Sequence, residues 1–343
     1  MENKLLEHGG RIKQAAKQFG IPVSDWLDLS TGINPNSWPV HPVPTEIWQR
    51  LPEDDDELYA AAQFYYGPQM LLPAAGTQAL IQVLPQLRQA SVVAVPNRGY
   101  EEHRHGWQRE GHELKYYQHD DDQQLDQLIN AGEVDVVVVI NPNNPTTQQY
   151  TVSQLLSWRE NLAARGGWLV VDEAFIDTTP EFSLLPYSPL PGLIVLRSMG
   201  KFFGLAGLRL GFLFAEESLL QAANFRLGPW TIAGPSRWQA AQALLDIAWQ
   251  EESRRALRIK SDELLGLLQD SFDKKIQPIQ YKSTALFVSV MLPVTYVNSI
   301  AQTLAEQGIL VRRFMFNATE GCLRFGLPKN EDESQRLRAA LNL

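Results

Sequence analysis

Cysteine is almost absent from this 343-residue chain, in which Cys322 stands alone. A single cysteine excludes an intramolecular disulfide and any metal site built from several thiolates, and it favours a reducing compartment. Long apolar runs are also missing: the longest, such as residues 136–140, fall far short of the roughly 20 residues that cross a bilayer. We therefore expect a cytoplasmic protein with no membrane partner.

An excess of positive charge is lacking as well. The chain has 30 Lys and Arg residues against 39 Asp and Glu residues, which gives a formal net charge of -9. Binding to nucleic acid normally requires a basic surface, so no nucleic-acid partner is expected. Any anion that the protein binds must be held by local groups. The short acidic runs at residues 54–56 and 120–122 are typical of solvated turns or helix starts, and no metal site is expected.

The pattern of apolar segments predicts an α/β fold. Compact runs at 92–95, 134–140, 168–171, 193–196 and 210–214 alternate with helix-like stretches, which is typical of a mostly parallel sheet covered on both faces. Residues 236–272 form one long, mostly helical stretch, followed by strand-like runs at 285–291, 309–312 and 322–326. We predict an N-terminal arm (1–44) packing with the small domain, a large domain (45–235) and a small α+β domain (236–343).

The segment from 197 to 211 carries the strongest chemical signal. Lys201 has the nucleophilic amine that forms Schiff bases, and Ser198 and Arg209 are suited to holding a phosphate nearby. Taken alone, such a lysine is more often a surface residue. Asp172 ends a predicted buried strand, at the sheet edge where ligands bind, and could pair with a pyridinium nitrogen or simply cap a helix.

Three further segments each follow a predicted strand or open a helix. Gly76, Thr77 and Gln78 begin a helical segment whose free N–H groups suit a phosphate. Tyr100 could lie against a flat cofactor, and the turn at 141–145 could aim Asn144 into the same crevice. Each of these features by itself is commonly only a cap, a packing contact or a turn.

In their order along the chain, these residues resemble the fold type I pyridoxal-phosphate enzymes, the aspartate aminotransferase family, over nearly the whole sequence. The resemblance implies a pyridoxal 5'-phosphate cofactor and a homodimer. It implies that Lys201 forms the Schiff base, Asp172 pairs with the pyridine nitrogen and Tyr100 stacks on the ring, these three being the catalytic residues. Asn144 would contact the ring hydroxyl, and the cofactor phosphate would be surrounded by Gly76, Thr77, Gln78, Ser198 and Arg209.

Within that family, His8-Gly9-Gly10 and residues 25–35 are similar to the start of the threonine-phosphate decarboxylases of cobalamin synthesis, whose kin are the histidinol-phosphate aminotransferases. This resemblance implies decarboxylation of L-threonine O-3-phosphate, a small phosphorylated amino acid, to 1-amino-2-propanol O-2-phosphate. The alternative is a histidinol-phosphate or related aminotransferase. Arg324 would clamp the α-carboxylate, and the implied substrate-binding residues are His8, Gly9, Gly32, Asn144, Arg312 and Arg324.

Two departures from the family pattern bear on this assignment. Phe175 stands where many aminotransferases have a tyrosine that donates to the ring oxygen, a feature that resembles the decarboxylases. Leu51 stands where many relatives have a tyrosine that reaches the cofactor phosphate of the neighbouring subunit. Two other classes are alternatives: a non-catalytic protein on this fold, which the presence of Lys201 disfavours, and a zinc enzyme built on His103, His105 and His112, which lacks a carboxylate partner of obvious spacing.

Overall fold

The computed structural model describes residue 6 and residues 8–54, 56–273, 276 and 280–341. The chain forms two compact units. The large unit comprises Ser37–Asn144 and Gln148–Gln250, and the small unit comprises Met1–Asn36, Pro145–Thr147 and Glu251–Leu343. The sequence-based division at 44/45 and 235/236 stays a prediction.

Strands and helices alternate along much of the described chain. The strands are β1 (Leu27–Leu29), β2 (Leu71–Ala74), β3 (Val92–Pro96), β4 (Glu113–Tyr117), β5 (Val136–Ile140), β6 (Trp168–Asp172), β7 (Leu193–Ser198), β8 (Gly211–Phe214), β9 (Gln280–Thr284), β10 (Phe287–Pro293), β11 (Ile309–Met315) and β12 (Glu320–Gly326). The helices are α1 (Ile12–Phe19), α2 (Thr45–Gln49), α3 (Glu57–Tyr66), α4 (Thr77–Val83), α5 (Glu101–Arg109), α6 (Asp122–Asn130), α7 (Val152–Ala163), α8 (Glu217–Leu227), α9 (Gly234–Leu245), α10 (Ile247–Phe272), α11 (Val294–Glu306) and α12 (Glu331–Leu341).

The large unit is built on a seven-stranded sheet in the order β2-β8-β7-β6-β5-β3-β4. All neighbouring strands are parallel except β8, which runs antiparallel to both β2 and β7. Every residue of β5 is buried, so this strand is covered on both faces of the sheet. The predicted α/β fold with a mostly parallel sheet is confirmed.

The long helical stretch predicted for 236–272 is interrupted at Asp246, which separates α9 from α10. The Oδ1 atom of Asp246 accepts a hydrogen bond from the backbone N–H of Trp249 at 3.1 Å, and Oδ2 accepts one from the Trp38 indole at 3.0 Å. Aspartate satisfies the free N–H groups of a first helical turn well, so a new helix begins after it. The mostly helical stretch is confirmed, and it consists of two helices that meet at this residue.

The small unit is built on a five-stranded sheet in the order β1-β11-β12-β10-β9, in which β1 pairs parallel with β11 and the other pairs are antiparallel. The register of β11 and β12 sets Arg312 directly opposite Arg324. Among the described residues, no helix combines the length and the apolar character needed to span a bilayer.

Candidate active site

The predicted cofactor residues converge on one cavity of about 130 Å³ in the large unit. Asp172 and Ser198 end β6 and β7, and the other positions follow β2, β3 and β5 or precede β8. Because β2, β3, β5, β6 and β7 run in the same direction, their carboxyl ends share one edge of the sheet, where ligands bind in such folds. The lining includes all nine positions: Gly76, Thr77, Gln78, Tyr100, Asn144, Asp172, Ser198, Lys201 and Arg209.

One end of this cavity is rich in hydrogen-bond donors. Gly76 has a φ of +79°, and a Cβ there would lie 2.9 Å from Nη2 of Arg209, so glycine lets the guanidinium approach the backbone. A Cβ on Gly211 would lie 2.7 Å from the backbone nitrogen of Thr77, which allows β8 to pack close to the start of α4. With the hydroxyl of Ser198, these groups make a donor set suited to a phosphate.

Asp172 presents a buried carboxylate to the cavity, and two donors hold it. Its Oδ2 atom lies 2.8 Å from Nε2 of His103, and its Oδ1 atom accepts a hydrogen bond from the backbone N–H of Ala174 at 3.0 Å. His103 and Asp172 are 2% and 4% exposed, so the pair is shielded from solvent. No local pattern in the sequence indicates this pairing, because the two residues are 69 positions apart.

The zinc alternative is not supported by the histidine geometry. His103 pairs with Asp172, and His105 is exposed. His112 accepts a hydrogen bond from the Ser91 backbone N–H through Nδ1, and its Nε2 lies 2.9 Å from the Pro85 carbonyl oxygen. In the part of the chain that the structure describes, no group of three His, Cys, Asp or Glu side chains is placed to hold a metal ion.

Lys201 is anchored by the aromatic residues that follow it. Phe202 and Phe203 are fully buried, and the Phe203 ring stacks on Trp249 with a centroid distance of 5.8 Å. The backbone of Lys201 is therefore tied to the core while the residue itself lines the cavity. The Nζ atom lies 5.6 Å from the centroid of the Phe175 ring, close enough for a cation–π contact.

A buried ionic network lies next to the carboxyl ends of β6 and β7, on the sheet face opposite the side chains of Asp172 and Ser198. The Nη1 atom of Arg197 donates to Glu173 at 3.1 Å, and its Nη2 atom donates to Asp177. Burial raises the pKa of the Glu173 carboxyl, against the opposing effect of Arg197. Adjacent strand residues point to opposite faces, so this network lies behind Asp172 and Ser198 and fixes their two strand ends together.

The small unit brings together two of the predicted substrate-binding cations. Arg312 and Arg324 are cross-strand partners, and their guanidinium carbons lie 5.1 and 5.7 Å from the centroid of the Phe314 ring. Nη2 of Arg324 donates to the Ser30 carbonyl oxygen at 2.7 Å. Burial, and then repulsion from Arg312, lowers the pKa of the Arg324 guanidinium to about 10. A bound anion would stabilise the charged form of the buried Arg324 beside Arg312.

The predicted residues of the N-terminal arm line a second cavity, of about 170 Å³, in the small unit. His8, Gly9 and Arg312 contribute to its lining together with Ser30. The Ser30 hydroxyl accepts a hydrogen bond from the Gly10 backbone N–H at 2.8 Å, and a Cβ on Gly9 would collide with the Ser30 carbonyl. Glycine is thus required for the arm to lie against Ser30, a residue that the sequence analysis missed.

Three predicted substrate-binding residues are not in the lining of that second cavity. Gly32 is buried after β1, and Arg324 is buried on β12. Asn144 belongs to the large unit and lines the cofactor cavity instead. The roles of all three toward a substrate stay predictions.

The chain is similar to a known protein family and to proteins of known activity over most of its length. A family model described as aminotransferase class I and II matches residues 49–341. A threonine-phosphate decarboxylase of Pseudomonas aeruginosa is 46% identical over 337 residues, with 98% of this chain and 97% of that protein covered. One from Sinorhizobium sp is 37% identical over 342 residues, with 98% and 97% covered.

Among solved structures, the histidinol-phosphate aminotransferase from Sinorhizobium meliloti in complex with pyridoxal-5'-phosphate superposes with a TM-score of 0.80. The identity is 21%, and the match covers 99% of this chain and 95% of that one. At this identity the likeness concerns the fold, and it confirms the predicted fold type.

Proposed function

Since the chain belongs to the aminotransferase class I and II family, we propose that it is a pyridoxal-phosphate-dependent decarboxylase of L-threonine O-3-phosphate. The two relatives that match nearly the whole chain are threonine-phosphate decarboxylases, which supports this reaction over transamination. The structural observation that carries the proposal is the facing pair Arg312 and Arg324, because two guanidinium groups on one sheet face suit a substrate with two anionic groups.

The residues of the large-unit cavity fit the cofactor. Arg209, Ser198 and the backbone N–H groups at Thr77 and Gln78 would bind its phosphate, and Gly76 leaves room for this approach. Asp172, held by His103, would bind the protonated ring nitrogen. Lys201 would attach to its aldehyde carbon. When bound, the cofactor supplies an electron sink for the bond that breaks at the substrate α-carbon.

The remaining residues would select that bond. We assign the α-carboxylate to Arg324 and the phosphate to Arg312 and His8, so that the substrate is fixed at both ends. The bond between the α-carbon and the carboxylate carbon then breaks and carbon dioxide leaves. The substrate amine would displace Lys201 from the aldehyde carbon, and the released ammonium group of Lys201 would then donate a proton to the α-carbon, which gives 1-amino-2-propanol O-2-phosphate.

A direct assay separates this function from the aminotransferase alternative. The purified protein is incubated with threonine phosphate in one reaction, and with histidinol phosphate and 2-oxoglutarate in the other. We expect carbon dioxide from the first reaction and no glutamate from the second. Glutamate formation without carbon dioxide would make the protein an aminotransferase.

A substitution at Phe175 tests whether this residue faces the bound cofactor. Replacing Phe175 with tyrosine adds a hydroxyl beside Lys201, and this donor should stabilise the ring oxygen anion of the bound cofactor. We expect the pH midpoint of the cofactor absorbance to fall by about one unit while decarboxylation continues. Spectrophotometric titration measures the midpoint, and an unchanged midpoint would mean that residue 175 does not face the cofactor.

We further propose a homodimer that forms through the large unit. Its described surface exposes large apolar side chains, among them Trp48, Leu51, Phe64, Phe225 and Trp230. Large apolar side chains that are exposed on one subunit commonly become buried at an interface between subunits. Trp230 also has a φ of +56°, an unfavourable backbone conformation for a side-chain-bearing residue.

Sedimentation velocity should therefore find a dimer at micromolar concentration. Replacing Phe225, which is 86% exposed, with glutamate should shift the population toward monomer because a charge would be buried at the interface. Ile259, 59% exposed in the small unit, provides the matched control, and its glutamate variant should stay dimeric. A wild-type monomer with full activity would contradict the dimer proposal.

A further inference from the structure

Tyr100, the residue expected to stack on the cofactor ring, is the first member of a chain of hydrogen bonds. Its hydroxyl donates to Oε1 of Gln78 at 3.1 Å, and Nε2 of Gln78 donates to Oε2 of Glu102 at 2.8 Å. Tyr100 and Gln78 line the cofactor cavity, whereas Glu102 does not. Glu102 therefore reaches the site through Gln78.

The charge of Glu102 sets the direction of this chain. A carboxylate only accepts hydrogen bonds, so the Gln78 amide must turn its NH₂ group toward Glu102 and its carbonyl oxygen toward Tyr100. The Tyr100 hydroxyl then donates its proton to Gln78. Gln78 can still offer a phosphate its backbone N–H, but its side chain is committed to Tyr100 and Glu102.

Glu102 also joins the two helices that carry these residues. Gln82, one helical turn after Gln78 on α4, donates to the same Oε2 atom at 3.3 Å. Tyr100 precedes the first residue of α5, and Glu102 lies in the first turn of that helix. The carboxylate therefore fixes the start of α5, and with it the Tyr100 ring, against α4.

Resting on the proposed function, we propose that Glu102 is a positioning residue for the decarboxylation. It orients the Gln78 amide, and that amide holds the Tyr100 ring at one angle against the cofactor. Without the carboxylate, the amide can rotate, and the Tyr100 hydroxyl loses its fixed acceptor. A ring that samples several angles positions the cofactor less well, and such losses lower the chemical rate.

The test compares Glu102→Met with Glu102→Gln and Glu101→Met. Glu102→Met should lower kcat about tenfold, with a smaller effect on KM, and should weaken the visible circular dichroism of the bound cofactor. Glu102→Gln should keep most of both properties, since a carboxamide oxygen still accepts from Gln78. Glu101→Met is the matched control, because this neighbour pairs with Arg104 instead. All three variants should remain folded at the assay temperature.

A double-mutant cycle tests the chain itself. Tyr100→Phe breaks the same chain at its other end, so Tyr100→Phe combined with Glu102→Met should lose no more activity than the worse single variant. Multiplicative losses, or wild-type kcat and dichroism in Glu102→Met, would overturn the positioning role. Should Glu102→Met not fold, the same dichroism change is required of Tyr100→Phe. A wild-type protein that binds no cofactor and releases no carbon dioxide would instead refute the proposed function, and this role with it.

Discussion

Replacing Lys201 with alanine is expected to lower the decarboxylation rate by about 10⁴-fold or more, because the residue is proposed both to attach the cofactor and to move the proton. The variant should still bind pyridoxal phosphate through Asp172, Ser198 and Arg209, but should lose it on dialysis. Borohydride treatment of the wild type, followed by peptide mapping, should find the cofactor covalently attached to Lys201.

Lys115 provides the control for this experiment. Lys115 lies on β4, and its Nζ atom is 2.7 Å from Oε2 of Glu133. Lys115→Ala should keep wild-type activity, absorbance and cofactor labelling. Cofactor found on a lysine other than Lys201 would overturn the assignment of the whole large-unit cavity. Full activity in Lys201→Ala would have the same consequence.

The strands that the sequence predicts best are those with no polar face. In β5, Val136–Ile140 is apolar throughout and buried throughout, so its position follows from composition alone. The strand β4 escaped prediction because it lies at the sheet edge and contains Glu113 and Lys115, which remain at least partly exposed. At the other edge, β2 contains Pro73, a residue that is tolerated at edges but argues against a strand.

The residues of the candidate site likewise fall into a group that the sequence predicts and a group that it does not. Residues at the carboxyl ends of strands, such as Asp172 and Ser198, could be predicted from local segments and their order along the chain. Their supporting partners could not, because each contact joins distant parts of the sequence. His103 is an example: in the sequence it suggested only a weak metal ligand, whereas in the structure it holds Asp172. Tertiary packing determines such pairs, and no periodicity predicts them.

The substrate assignment makes a reciprocal prediction for Arg312 and Arg324. Two competitive inhibitors each carry one end of the proposed substrate: L-threonine has the carboxylate, and O-phosphoethanolamine has the phosphate. Arg324→Met should weaken inhibition by threonine, and Arg312→Met should weaken inhibition by phosphoethanolamine. Each loss should be about 1.5 to 3 kcal/mol, the value of a charged hydrogen bond, or roughly 10- to 200-fold.

Methionine keeps an apolar stem against Phe314, so each variant removes the charge with little loss of packing. Arg338 on α12 lines neither cavity, and its Nη1 atom lies 3.8 Å from Oδ2 of Asp270, so Arg338→Met should leave both inhibition constants unchanged. Inhibition constants measured against threonine phosphate decide the outcome. If both inhibitors weaken equally in both variants, the two guanidinium groups bind a single anion, and the assignment of separate carboxylate and phosphate partners is wrong.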